Sequence, residues 1–440
     1  MKKDLTTGKV SRTMLLFAGP MILGNLLQQL YNIADTLIVG RFLGSQALAA
    51  VGSTYTLFTF LTSIFIGLCM GSGTVVAYYV GKKEADSLEK SISASFWFIA
   101  LLTVLINVFL VTGLDRILQL LQVPASLTAL MGDYVRIIAC GLIFVFLYNY
   151  FAFLLRAFGN SLTPLIFLGI SSALNIVLDL VFVLLFDLGV AGAAWATVAS
   201  QIFAGTALFI YTVKKEPLIR HALRCRLPGH TYFVQIIRFS IATCIQQSVM
   251  NFGILMIQGL VNSFGTSIMA TFAAAVKIDA FAYMPAQEFG NAFSTFLSQN
   301  NGAGKKDRIR QGTRNAFLIS MAFCLSVSAI IFVMAPRLMS FFVAPENTGI
   351  ISIGVQYLRI EGSFYCLIGI LFLLYAYYRG LGRPEMSIVL TVISLGTRVL
   401  LAYALSPIPL LGTTAIWAAI PIGWLLADLT GIAFMKKLVK

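Results

Sequence analysis

The stretch Gly81-Lys82-Lys83-Glu84 returns later in the chain as Gly304-Lys305-Lys306-Asp307, and the stretch Arg156-Ala157-Phe158-Gly159 returns as Arg379-Gly380-Leu381-Gly382. Both pairs are 223 residues apart, so the second half of the chain is a direct repeat of the first. A repeat of about half a chain, written in strongly apolar sequence, is typical of membrane transporters built from two equivalent helical lobes. The repeat therefore predicts two lobes with a substrate path between them.

Composition predicts an all-α membrane protein. The 440 residues are 59% hydrophobic and only 11% charged, and the mean hydropathy is +0.89. A soluble domain of this length keeps about a quarter of its residues charged. Apolar runs of about 20 residues or more are long enough to cross a bilayer. About twelve such runs are predicted, near 13–39, 47–80, 91–112, 134–155, 164–186, 190–213, 232–263, 268–299, 315–336, 350–378, 385–405 and 413–435.

Basic residues predict the orientation of these spans. If the N-terminus is inside, most Lys and Arg residues between spans lie on the side of the two termini. The opposite side holds only Arg41, Arg116, Arg136 and Arg337. Positively charged loops stay in the cytoplasm, so both termini are predicted to be cytoplasmic. Six spans return the chain to its starting side, which predicts lobes of the same topology at 1–213 and 232–440, joined by a linker at 214–231.

Two acids inside the spans of the first half lack counterparts in the second half. Asp179 aligns with Ala402, and Asp35 aligns with Met256. A carboxylate at the centre of a membrane helix costs about 2.5–3.5 kcal/mol on insertion scales. The only Lys or Arg inside the predicted spans of this lobe is Arg136, at the outer end of the fourth span. Each aspartate is therefore expected to be protonated or bound to a cation.

Depth along the helices predicts that the acids share one cavity. Asp179 lies about 10 Å from the outer end of the fifth span at 1.5 Å per residue, and Thr197 returns to the same depth on the sixth span. Asn175 shares the helix face of Asp179 because it lies four residues earlier. Asp35 lies near the outer end of the first span. The alternative is that these polar groups only satisfy one another in helix packing.

Several of these segments together resemble one transporter family. The segments are Pro20, Tyr31 to Gly44 (YNIADTLIVGRFLG), Asn175 to Asp179 (NIVLD), Gly189 to Thr197 (GVAGAAWAT) and Gln299 to Lys305 (QNNGAGK). In combination they resemble the multidrug and toxic compound extrusion (MATE) transporters over nearly the whole chain. They look most similar to the branch named after the DNA-damage-inducible F protein.

The resemblance implies a function and a set of residues. It implies twelve helices in two six-helix lobes and an antiporter that exports small amphipathic, cationic drugs or toxic metabolites by alternating access. The matching aspartates Asp35 and Asp179, with Asn175 and Thr197, would form the ion-coupling network, and Pro20 would let the first helix bend. Such a transporter is expected as a monomer in a bacterial or archaeal cytoplasmic membrane.

Further polar residues are candidates for cavity or substrate contacts. Gln28, Tyr31 and Asn32 lie one or two turns below Asp35 on the first helix, so they are candidates in the first lobe. Candidates in the second lobe are Lys277, Asp279 and Glu288, on the eighth span. The alternative for the second lobe is that its charged residues form mutual ion pairs that make it rigid.

No cofactor is expected, and the coupling ion is predicted to be H⁺ with Na⁺ as the alternative. Sodium would need about five or six oxygen ligands, which Asp35, Asn175, Asp179, Thr197 and a backbone carbonyl could nearly supply. No other metal is expected, because the six cysteines show no metal-ligand spacing. Nucleic acid is not expected as a partner, because the basic loops are short and separated.

Other function classes are disfavoured by missing motifs. The segment around Gly304 and Lys305 lacks the first glycine of a nucleotide-binding loop, and no hydrolase pattern is present, so no enzyme is expected. A passive channel would need a carbonyl filter or charged rings. The remaining alternative is a flippase for a lipid-linked precursor, because related flippases share the two-lobe fold. Such flippases usually have extra helices and an arginine-rich cavity, whereas this first lobe is acidic.

Overall fold

The structure is a computed structural model that describes residues 3–120, 125–224, 229–342, 347–408 and 410–439. All regular elements in these ranges are helical. Residues 225–228 of the predicted linker lie outside the described residues. The helices are α1 (Val10–Phe42), α2 (Gly44–Lys82), α3 (Ala85–Leu120), α4 (Ala125–Ala157), α5 (Leu162–Leu180), a π-turn (Val181–Leu185), α6 (Gly189–Lys215), α7 (Pro217–Ala222), α8 (His230–Asn262), α9 (Thr266–Gly302), α10 (Lys306–Phe342), α11 (Thr348–Gly362), α12 (Tyr365–Gly380), α13 (Pro384–Leu405) and α14 (Gly412–Val439).

The predicted all-helical membrane fold is confirmed. Eleven helices in the described ranges are long and apolar enough to cross a bilayer, and a bent pair of helices supplies a twelfth span. Helices suit this environment because the bilayer core offers no water, so backbone N–H and C=O groups must bond to each other. The short helix α7 lies in the predicted linker, where Ile219 and Ala222 are buried against the core of the first repeat.

The tenth span differs from the sequence prediction of one helix over 350–378. The structure divides it into α11 and α12, which meet at an angle of 49°. The break falls at Gly362-Ser363, a pair of residue types at which helices often kink. Gly362 is also pressed against α10, since a Cβ atom there would lie 2.9 Å from Cγ2 of Ile331. Packing against α10 therefore decides a bend that hydropathy does not reveal.

The chain forms two compact units, and each unit consists of two separate segments of the sequence. Unit 1 comprises Met1–Asp4 and Leu23–Cys244, and unit 2 comprises Leu5–Ile22 and Ile245–Lys440. Helix α1 therefore changes units after Ile22, two residues beyond Pro20. Helix α8, the first helix of the second repeat, changes units after Cys244, within one residue of the position that corresponds to Ile22 of α1.

Within unit 1, two glycines let α8 pack directly against α2. A Cβ atom on Gly67 would lie 2.6 Å from Cα of Cys244, and one on Gly71 would lie 2.3 Å from the carbonyl oxygen of Phe239. The two glycines are four residues apart, the spacing that brings membrane helices into close backbone contact. This contact holds the N-terminal half of α8 in unit 1.

Within unit 2, the Gln299 to Lys305 motif holds the segment that precedes α1. The backbone N–H of Leu5 donates to Oε1 of Gln299 at 3.3 Å, and Nδ2 of Asn300 donates to the Leu5 carbonyl at 3.1 Å. Nζ of Lys305 donates to the Thr6 carbonyl at 2.7 Å. The motif thus supplies partners for backbone groups that no helix satisfies.

Candidate functional site

The carboxyl groups of Asp35 on α1 and Asp179 on α5 lie side by side in unit 1. They lie within electrostatic range of each other, so they would repel one another if both were ionised. Asp179 is 0% exposed. The structure thus brings together two acids that are far apart in the sequence.

Helix α5 presents its polar residues to the protein and its apolar residues outward. Its buried side chains include Ser171, Asn175 and Asp179, which follow one another at intervals of four residues. Ile166, Ile170 and Val177 are exposed. A helix that faces lipid with its apolar side and protein with its polar side shows this pattern. The four-residue spacing aims Asn175 and Asp179 in the same direction.

A π-turn begins two residues after Asp179. It spans Val181–Leu185, and the backbone N–H of Leu188 reaches back to the Phe182 carbonyl at 3.0 Å. Single π-turns inside helices occur frequently at functional sites because they re-aim the adjacent side chains. Only Leu180 separates Asp179 from the turn. A small change in helix pitch at the turn therefore alters the direction of the Asp179 carboxyl group.

Five buried polar atoms at this site have no hydrogen-bond partner among the described residues. The unpartnered atoms are Oδ1 of Asp35, both carboxylate oxygens of Asp179, and both amide atoms of Asn175. Ionised carboxylates only accept hydrogen bonds, so two of them cannot satisfy each other. One shared proton or one bound cation would relieve both their repulsion and their lack of donors.

Two tyrosines complete the surroundings of the acids. Tyr134 on α4 is buried beside the Thr197 side chain and within electrostatic range of Asp35 and Asp179. Tyr31, a predicted cavity contact, lies within electrostatic range of both acids, and Asp35 acts on it more strongly than Asp179 does. Tyr134 is not among the residues predicted from the sequence, because a tyrosine near the end of a span is ordinary and neither the repeat nor the polar spacing singles it out. Only the packing of α4 against α6 places it at the site.

A cavity of about 110 Å³ lies next to the acids inside unit 1. Four of the predicted residues line it, namely Gln28, Tyr31, Asn175 and Thr197. Asn32 does not line it and instead donates from Nδ2 to the Tyr55 hydroxyl at 3.4 Å. Asn175 and Tyr31 line the cavity, and each lies one helical turn before one of the two aspartates. The cavity and the carboxyl pair are therefore adjacent.

Unit 2 contains a second buried acidic cluster. Asp279 on α9 accepts a hydrogen bond from the Tyr357 hydroxyl at 2.5 Å, and the Tyr365 hydroxyl bonds its other oxygen. Glu361 lies beside Asp279, and the buried guanidinium of Arg398 attracts both acids. Nε of Arg398 has no hydrogen-bond partner in the described part of the chain. Asp279 is thus held by tyrosine hydroxyls.

The other two candidates in the second lobe lie apart from this cluster. Lys277 is exposed. Glu288 accepts a hydrogen bond from Nδ2 of Asn291 at 3.3 Å, and Oδ1 of Asn291 in turn accepts one from the buried Arg379 at 3.1 Å. Arg379 also donates to Oγ of Ser294 at 3.1 Å. Glu288 therefore belongs to a polar network that links α9 with α12.

The atoms available to bind an ion at this site are oxygens and one amide nitrogen. They belong to Asp35, Asp179, Asn175 and Thr197. Hard cations such as sodium prefer such ligands, and a proton would also fit between the carboxyl groups. Within the described ranges, no group of three or more His, Cys, Asp or Glu residues is placed to hold a metal ion. A proton and an alkali cation are both compatible with the chemistry of these side chains.

Sequence comparison identifies relatives over most of the chain. The family model MatE matches residues 20–181 and 240–404. The chain is 31% identical over 394 residues to the "Probable multidrug resistance protein YpnP" of Bacillus subtilis, covering 89% of this chain and 87% of that protein. It is also 25% identical to the "Probable multidrug resistance protein NorM" of Thermotoga maritima, covering 93% of this chain and 88% of that protein.

Structural comparison agrees with these matches. A solved structure described as the outward-facing conformation of a multidrug resistance MATE family transporter matches with a TM-score of 0.92 at 24% identity. The match covers 99% of this chain and 97% of that one. A crystal structure of a MATE protein in a bent conformation also gives 0.92, and one in a straight conformation gives 0.89. These likenesses show that the fold is shared.

Proposed function

The chain belongs to the MATE family of multidrug efflux transporters, and we propose that it is an ion-coupled antiporter that exports small amphipathic cations. The buried pair Asp35 and Asp179 is the observation that supports this proposal most strongly. Its unpartnered oxygens need a proton or a cation, so the pair can exist in two charge states. An antiporter needs a site whose occupancy alternates in this way.

The coupling ion is proposed to be H⁺. One proton between two adjacent carboxyl groups removes their repulsion and supplies a hydrogen-bond donor, with no demand on coordination geometry. Sodium would need about five or six oxygens arranged around it. A proton that moves inward gains about 2.3 kcal/mol per 100 mV of membrane potential, which is enough to drive a useful substrate gradient.

Alternating access requires two lobes that move against each other. We propose that the repeats at 1–213 and 232–440 act as these lobes and that 214–231 links them. The N- and C-termini are proposed to face the cytoplasm of a bacterial or archaeal cell, because the basic loops lie on that side. Membership of the DNA-damage-inducible F branch and a monomeric state remain part of the proposal.

The substrates are proposed to be cationic because of the sign of the site. Asp35 and Asp179 carry negative charge when their proton has left, and a cation can replace it as the partner of the pair. The described residues that line the adjacent cavity include no Lys or Arg. A flippase for a lipid-linked pyrophosphate would need positive charge at its cavity, so the electrostatics favour the exporter.

Transport by the purified protein in liposomes tests this proposal. A panel of fluorescent cations is loaded, and a pH gradient and a sodium gradient are imposed separately. We expect the pH gradient alone to drive uphill movement and a protonophore to stop it. Transport driven by sodium alone at matched pH, undiminished by a protonophore, would show that the ion is Na⁺. Movement of a lipid-linked pyrophosphate in place of cations would support the flippase.

A further inference from the structure

The cavity in unit 1 extends along α5, away from the outer end of that helix. Its lining on α5 runs from Asn175 back to Leu168. Seven residues correspond to about 10 Å along a helix. In the proposed orientation α5 begins at the cytoplasmic side, so the cavity leads from the carboxyl pair towards the cytoplasm. On α4 its lining includes Tyr148, whose hydroxyl donates to the Pro164 carbonyl near the start of α5.

Unpartnered polar atoms are concentrated in the lining of this cavity. Oγ1 of Thr62, Oγ of Ser172, Oε1 of Gln201 and both amide atoms of Asn175 are buried without a hydrogen-bond partner among the described residues. All four side chains line the cavity. They come from three helices, α2, α5 and α6, so they are not neighbours that happen to share one turn. Buried polar groups in proteins are almost always satisfied, and ordered water is the usual partner where protein atoms are missing.

The size and charge of the cavity suit water. A volume of about 110 Å³ has room for several water molecules. The described residues that line it are uncharged and include hydroxyl and amide groups such as those of Ser171, Asn149 and Gln201. Hydroxyl and amide groups can both donate and accept hydrogen bonds, which lets a row of waters reverse its hydrogen-bond direction. Charged groups would instead trap an ion.

We propose that this cavity holds a chain of ordered water that conducts the coupling proton between Asp179 and the cytoplasmic side. Asn175 lies one turn from Asp179 and links the carboxyl group to the first water. The Asp179 carboxyl group gives its proton to that water, each water passes one proton to the next and returns to its neutral form, and Asp179 is left as a carboxylate. The proposal rests on the proposed proton coupling.

Apolar substitutions in the cavity lining should remove water from the cavity and so slow proton release. The carboxyl groups that bind the proton stay in place. Thr62→Val and Gln201→Met each replace a polar group by an apolar one of similar size. The purified protein is mixed rapidly with a cationic substrate in weakly buffered solution that contains a pH indicator. We expect the wild type to release protons on binding. The double variant should release the same number of protons at least tenfold more slowly, with unchanged substrate affinity.

Thr74→Val is the matched control. Thr74 lies on the same helix as Thr62 and is also buried, but its hydroxyl donates to the Met70 carbonyl at 2.9 Å, and it does not line the cavity. Its proton release should match the wild type. Each single variant is measured too, so that the result stands if the double variant fails to fold. A structure at a resolution that shows water should contain at least three connected waters in the wild type and fewer in the double variant.

The possible failures are distinguishable. If the wild type releases no protons when it binds substrate, the proposed proton coupling is wrong. If the wild type releases protons and the folded variants release them at the same rate, the coupling stands and the water chain is wrong. Weakened substrate affinity with an unchanged rate of proton release would show that the cavity binds substrate, which also overturns the water chain.

Discussion

Asp279 and Asp179 show how hydrogen-bond partners determine whether a buried carboxyl group is stable in a single charge state. Asp279 is buried in unit 2, but two tyrosine hydroxyls donate to it and the arginine at position 398 attracts it. Asp179 is equally buried, yet both its oxygens lack partners among the described residues. A satisfied carboxylate is stable in one state, whereas an unsatisfied one gains from binding a proton. The second situation suits ion coupling.

Neutralising either member of the carboxyl pair should uncouple transport. We expect Asp35→Asn and Asp179→Asn to reduce proton-driven uphill efflux at least tenfold, because an amide cannot release a proton. The thermal midpoint of the purified protein should stay the same or rise, since a buried group that resists ionisation has been removed.

The control for this pair is an exposed acid of the same unit. Asp133→Asn removes a carboxylate that is 70% exposed and lies 3.4 Å from Arg136. An exposed ion pair of this kind is worth about 0–1 kcal/mol, so efflux should be unaffected. Wild-type levels of either proton-driven or sodium-driven transport by either buried variant would contradict the assignment of Asp35 and Asp179.

At the scale of elements, helix α1 combines a proline with a change of unit. Pro20 lies inside the helix, and α1 passes from unit 2 to unit 1 two residues after the proline. Proline removes one backbone hydrogen bond and so lowers the cost of bending at that place. Asp35 lies about four turns further along the same helix. Helix α1 can therefore bend near Pro20 when the charge of Asp35 changes.

Removing this proline should slow turnover more than it weakens binding. We expect Pro20→Ala to lower the transport rate severalfold at saturating substrate, because a complete hydrogen-bond ladder resists bending. Substrate affinity should change less than twofold. Pro421→Ala, which removes the proline inside α14, is the comparison variant. Unchanged turnover with weakened binding would instead identify Pro20 as a pocket residue.

The contact between α2 and α8 depends on glycine. A methyl group on Gly71 would lie 2.3 Å from a backbone oxygen, which side-chain movement cannot relieve. We expect Gly71→Ala to cost about 1–3 kcal/mol or more, by analogy with overpacked cores, and to lower the thermal midpoint. Gly52→Ala on the same helix meets no atom within 4 Å, so stability should stay the same or rise. Equal melting of the two variants would argue against tight packing of α8 on α2.

At the scale of the whole molecule, the distribution of charge predicts orientation. A single cysteine at Lys306→Cys should lie in the cytoplasm, and one at Arg116→Cys should lie outside, after the native cysteines have been replaced. A membrane-impermeant maleimide should label the Arg116 variant in intact cells and the Lys306 variant only after permeabilisation. The reverse pattern would invert the proposed topology and the direction of the water chain.

The amino-acid sequence is sufficient to predict the class of this protein, its twelve spans and the presence of acids without basic partners inside them. These properties are local: the bilayer requires long apolar helices, so their number appears directly in the order of the residues. The repeat is equally visible because it compares the chain with itself. The unusual character of Asp35 and Asp179 follows from the near absence of basic residues in the spans of the same lobe, where Arg136 at a span end is the single exception.

The packing of these helices and side chains against one another is visible only in the tertiary structure. It placed Tyr134 beside the acids, joined five helices around one polar cavity, bent the tenth span at Gly362 and divided α1 and α8 between two units. Each of these features depends on contacts between segments that are distant in the sequence. Hydropathy and spacing report only what a residue shares with its neighbours along one helix, so they cannot show which helices pack together.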